Sequence, residues 1–215
     1  MLTPLAILFA VAGGAWGLVA DRIAVRWPEH DEAELPGGRA LGWRTAVTVV
    51  IGAAGLGAVP LRFGEPVQIA IFGAYVVALT LLLATDLDQR LLPNEITLPA
   101  IPIALLLVLA GLNPMVPPSA LLVTAGIALA VPLALAVVAI PFGAGAIGQG
   151  DLKLLVSVGL MAGGWRLILG VIDGCLLAGV VIVVLLLARR ITLHSFIPYG
   201  PFLIIGAFWG LLGPG

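Results

Sequence analysis

The sequence predicts an all-α fold, a polytopic membrane bundle of about eight transmembrane helices. Three observations predict it. Of 215 residues, 61% are hydrophobic. Only 10% are charged, against about 25% in soluble domains. The mean hydropathy is +1.21, and apolar runs approaching the ~20 residues needed to cross a bilayer recur along the chain. The 28 glycines and 16 prolines fit the same class, because both residues are frequent in membrane helices.

The first run, residues 2–20, lacks a basic start and carries Leu18 three residues before a cut at Ala20. That predicts a first span rather than a cleaved leader. Gly13 and Gly17 have the spacing of a helix-packing face. Residues 21–44 form the longest polar segment, with Arg22, Arg26, Arg39 and Arg44 among its acids and turn signals at Pro36-Gly37-Gly38. A glycine-rich second span follows over 45–61, a tight turn over 62–65 and a third span over 66–85.

Asp86 comes next, opening a polar loop over 86–95 in which Pro93 stops the third helix running on. Residues 96–112 are a fourth span containing Pro99 and Pro102, and 119–140 a fifth. A glycine-rich loop over 141–150 leads into a sixth span over 151–164. Its 14 residues reach about 21 Å against a hydrocarbon core of about 30 Å. The span therefore begins before Asp151, or the bilayer thins there. Residues 167–188 are a seventh span, 189–198 a loop and 199–212 a short eighth that starts near Phe196. The whole of 1–215 reads as one integral-membrane domain.

Basic residues set the orientation. Odd-numbered loops hold Arg22, Arg26, Arg39, Arg44, Arg90, Lys153, Arg189 and Arg190; even-numbered loops hold Arg62 and Arg166. Eight against two places the odd loops, with Asp86 and Asp151, in the cytoplasm and both termini outside. The net charge of −1 implies no nucleic-acid partner. The single cysteine, Cys175, excludes an internal disulfide and a multi-cysteine zinc site. His30 and His194 are isolated in loops, so no metal is expected.

Ionisable residues at membrane depth are costly and mark functional sites by default. Gly148-Gln149-Gly150-Asp151 sets an aspartate between glycines at the edge of an apolar run, and bare Cα atoms let another backbone approach. The second carboxylate comes from Thr85-Asp86-Leu87-Asp88. Two carboxylates about 3 Å apart share one proton. The ionised one takes a proton from water, and the protonated one donates to the peptide carbonyl or the leaving amine. Residues two apart on a helix face different ways, so either Asp86 or Asp88 can meet Asp151, and periodicity does not choose. Lys153 either approaches the carboxylates or an acidic residue of the substrate, or snorkels to lipid headgroups. Asp173 lies within the seventh span, toward its outer end, where a hydrogen bond inside the bundle is expected. A transporter relaying protons through buried aspartates, or an inactive membrane assembly protein, are the alternatives from other classes.

Asp86 followed by Pro93-Asn94 and Ile96-Thr97-Leu98-Pro99 resembles the first motif of the type IV prepilin peptidases, which are GxGD-type membrane aspartyl proteases. Gly148-x-Gly150-Asp151-x-Lys153-Leu154 resembles their second, and Ile197-Pro198-Tyr199-Gly200-Pro201-Phe202 resembles a late stretch of theirs. The resemblance spans roughly residues 68–208. It implies catalytic aspartates at Asp86 and Asp151, with Gly148, Gly150, Lys153, Pro93 and Asn94 as supporting motif residues. It implies a multi-pass protein of the inner (plasma) membrane that removes leaders from prepilins or pseudopilins at the cytoplasmic face. Many members also methylate the new amino terminus with S-adenosylmethionine and carry paired, zinc-binding cysteines in the first cytoplasmic loop. Residues 21–44 contain no cysteine. That departure predicts no zinc and weighs against methyl transfer, while proteolysis needs no cofactor.

Overall fold

The computed structural model describes residues 3–28, 40–142, 147–190 and 199–213. They form eight α-helices: α1 (Pro4–Ala24), α2 (Trp43–Arg62), α3 (Pro66–Gln89), α4 (Asn94–Leu109), α5 (Leu121–Ala139), α6 (Gln149–Ala162), α7 (Gly164–Leu187) and α8 (Gly200–Leu212). Single 3-10 turns at Pro118–Ala120 and Ile140–Phe142 flank α5. The five helices α1, α2, α3, α5 (with its preceding turn) and α7 are long and apolar enough to cross a membrane, and α4 and α8 are shorter apolar helices. The chain is thus an all-α, multi-pass membrane bundle. The prolines inside α2, α4 and α5 sit in helices whose neighbours can satisfy the backbone groups they free.

The helices pack in two groups. α1 and α2 pack against each other and against α3; α4 and α5 pack against α6, and α5 and α6 pack against α7. α8 touches both groups, with α2 and α3 on one side and α6 and α7 on the other. Glycines make the closest seams. A side chain at Gly13 would run into the Gly52 carbonyl, and one at Gly17 into the Thr48 carbonyl, so α1 and α2 meet backbone to backbone. Gly170 and Gly206 do the same for α7 and α8. The Gly13/Gly17 spacing is therefore a packing face.

The core lies between these groups. Phe72, Val76, Leu79 and Leu83 of α3 are buried with Leu154, Leu155, Val158 and Met161 of α6 and Ile204 and Leu211 of α8. Polar ties span it. Tyr75 Oη and Ser157 Oγ of α3 and α6 are 2.7 Å apart. Asn113 Nδ2, in the α4–α5 connection, donates to the carbonyls of Leu160 (3.2 Å) and Met161 (3.0 Å), holding the far end of α6. The outward faces stay apolar, as at Leu122, Leu133 and Leu187, which suits hydrocarbon.

Two helix ends that bear on the site differ from those expected. α1 runs to Ala24, so Asp21 is a buried helical residue, not a loop acid; Thr45 Oγ1 donates to its Oδ2 at 2.8 Å. α3 runs to Gln89 rather than stopping at residue 85, which puts Asp86 inside its last turn. The helix ends at Arg90, whose backbone is left-handed (φ 56°), three residues before Pro93. Pro93 instead caps the start of α4. α6 does begin before Asp151, by two residues, as one of the two expected alternatives has it, and it is 14 residues long. The expected eighth-span start near Phe196, the His30 and His194 positions, Arg39 and the Pro36-Gly37-Gly38 turn lie outside the described residues, as do Ile197 and Pro198.

Candidate active site

Asp86 continues the buried stripe of α3. Phe72, Val76, Leu79, Leu83 and Asp86 recur at the three- and four-residue steps of one helix face. The stripe that builds the core thus ends in a carboxylate, and Asp86 is buried. Asp88, two positions on, points elsewhere. Its Oδ1 meets Arg44 Nη1 of α2 at 2.6 Å. Gln89 Nε2 donates to the Ala24 carbonyl at 2.6 Å. The last turn of α3 is therefore braced against α1 and α2 by its flanking residues, while Asp86 faces inward.

Asp151 is the third residue of α6. Its Oδ2 accepts the backbone N–H of Gly148, the cap residue, at 3.2 Å, as a carboxylate at that position commonly does. A Cβ at Gly148 would lie 3.0 Å from the same oxygen, so this glycine keeps the carboxylate uncrowded. Gly150 has a different job. A Cβ there would lie 2.6 Å from Leu92 Cβ and 3.2 Å from the Leu92 carbonyl oxygen. Its bare Cα lets the start of α6 press on the connection between α3 and α4, which joins the two motif segments.

Gly150, next to Asp151, abuts Leu92, six residues beyond Asp86, so the two carboxylates lie at the same end of the bundle. Each has one buried oxygen without a hydrogen-bond partner among the described residues: Asp86 Oδ2 and Asp151 Oδ1. Buried polar atoms are normally satisfied, and the rare exceptions gather where a ligand or reacting group belongs. Arg166 Nη1, at the start of α7, donates to the carbonyls of Gly210 (3.0 Å) and Gly213 (3.1 Å) at the end of α8.

Lys153 reaches neither carboxylate by a hydrogen bond. Its Nζ donates to Asn94 Oδ1 at 2.7 Å, on the exposed side. It ties the first turn of α6 to the first residue of α4, so the supporting motif residues Asn94 and Lys153 form one contact. Asp173 is half-buried on α7. Gly200, which the motif reading left without a role, abuts the Asp86 carboxylate from α8. Only its place beside Tyr199 and Pro201 in the late stretch hinted at it.

The first loop's zinc-binding cysteines are a donor set this chain lacks. Cys175 is exposed on α7, and among the described residues no group of three or more His, Cys, Asp or Glu side chains converges. The residues present do not fit such a zinc site.

Comparison with known proteins matches residues 73–184 to the type IV leader peptidase family. No curated protein and no solved structure matches the chain. The matched segment runs from within α3 to the last turn of α7 and contains Asp86, Pro93, Asn94, Gly148, Gly150, Asp151 and Lys153. The chain belongs to the type IV leader peptidase family.

Proposed function

We propose that this chain is an aspartyl endopeptidase of the inner membrane that cuts leaders from type IV prepilins or pseudopilins, with Asp86 and Asp151 as its catalytic pair. The observation that carries the proposal is the pair of buried, unpartnered oxygens, Asp86 Oδ2 and Asp151 Oδ1, contributed by the two motif segments. One carboxylate, ionised, takes a proton from water as the water attacks the scissile carbonyl. The other, protonated, donates to the carbonyl oxygen, and the departing amine then collects a proton from the pair. The excess of arginine and lysine in the odd-numbered loops supports a site at the cytoplasmic surface. There a substrate held by its membrane helix can present an extended leader. The reaction requires no cofactor. The missing cysteines support a protease without zinc, and methyl transfer from S-adenosylmethionine is not part of the proposal.

Purified protein incubated with a prepilin should release the leader, and amino-terminal sequencing of the product should locate one cut. An intact prepilin after incubation with folded protein would sink the proposal.

A further inference from the structure

α8 lies beyond the matched segment, yet its first residue touches the centre of the site. An ideal Cβ on Gly200 would fall 2.8 Å from Asp86 Cγ and 2.9 Å from Oδ1, and nearest of all to Oδ2. Real Cβ atoms do not approach so closely. Gly200 is buried, Asp86 is only 5% exposed, and Oδ2 is the carboxylate atom without a partner. The carboxylate therefore occupies the volume that any other residue at position 200 would fill. The α8 backbone cannot easily withdraw to make room. Gly206 and Gly210 seat it on α7, and it also packs against α2, α3 and α6.

We infer that Gly200 is a positioning residue for Asp86, acting through the carboxylate rather than on substrate, and that α8 forms a wall of the active site. The inference rests on the proposed role of Asp86, but its geometric half is testable without any activity.

The experiment is a double-mutant cycle on full-length protein, read by thermal stability, with Gly200→Ala introduced beside Asp86 and beside Asp86→Ala. Proline follows at position 201 and restricts the backbone of residue 200. That cost is the same in both backgrounds and cancels in the cycle. A clash with the carboxylate does not cancel. Gly200→Ala should lower the melting temperature of the protein carrying Asp86 by clearly more than that of the Asp86→Ala protein. If Gly200→Ala alone fails to fold, recovery of folded protein in the double variant gives the same answer. Cleavage supplies the second readout. A carboxylate displaced by about 1 Å should lose on the order of a hundredfold in kcat with KM nearly unchanged. Gly206→Ala, which strains only the α7–α8 seam, should lower stability with kcat retained in the folded fraction. An equal stability change in both backgrounds overturns the inference, as does a wild-type kcat in Gly200→Ala. Cleavage that survives Asp86→Asn would instead sink the proposed function, and the stability cycle would still decide the contact.

Discussion

Gly150 and Leu92 meet without a side chain between them: a Cβ on Gly150 would lie 2.6 Å from Leu92 Cβ. This contact presses the start of α6, which carries Asp151, onto the connection that follows Asp86. Gly150→Ala should overpack it, costing about 1–3 kcal/mol. Thermal unfolding should show the loss, and adding Leu92→Gly, which removes the clashing Cβ, should recover part of it. Full stability of Gly150→Ala would mean the contact does not hold the segments together.

The Arg44–Asp88 pair is partly exposed, so its contribution is small, roughly 0.2–1 kcal/mol. Asp88→Asn and Arg44→Ala should each lower the melting temperature slightly, and the double variant by no more than the larger single loss. Asp88→Asn should keep substantial cleavage. A strictly additive double variant would show that the pair is not coupled.

Lys153 and Asn94 act as one contact. Lys153→Met and Asn94→Ala should each slow cleavage by about threefold to tenfold, and combining them should add little. Were Lys153 instead to bind substrate directly, its loss would raise KM independently of Asn94, and the two effects would multiply.

Orientation can be read at Gly42, the exposed cap residue of α2, where a side chain meets nothing within 4 Å. With Cys175 replaced by serine, Gly42→Cys should react with a membrane-impermeant thiol reagent only from the cytoplasmic side. Labelling from outside would invert the topology and move the site to the other face.

The all-α bundle was legible because apolar runs and their breaks survive in any packing. The ends of helices were less so. Asp21 reads as a loop acid until Thr45, from another helix, is seen to donate to it. Asp86 reads as lying just past its helix because the apolar run stops at Thr85, whereas α3 continues through the polar residues to Gln89. The choice between Asp86 and Asp88 does have a signal, the stripe from Phe72 through Val76, Leu79 and Leu83. In α3, however, nearly every position is apolar, since some face the core and others face lipid, so no stripe stands out beforehand. Gly148 and Gly150 both read as clearing space around Asp151. Gly148 does border that carboxylate, whereas Gly150 makes room for Leu92. The Lys153–Asn94 bond and the Gly200–Asp86 contact join residues distant in sequence, and only the assembled bundle brings them together.

The most direct test of the central claim is the cleavage rate of a prepilin by four folded proteins: unaltered, Asp86→Asn, Asp151→Asn and Asp88→Asn. Each member of the pair needs the other in the opposite protonation state. Asp86→Asn and Asp151→Asn should therefore each lose at least about a hundredfold, while Asp88→Asn stays close to the unaltered rate. An inactive Asp88→Asn beside an active Asp86→Asn would assign the wrong aspartate, and cleavage that persists in both Asp86→Asn and Asp151→Asn would contradict the aspartyl mechanism itself.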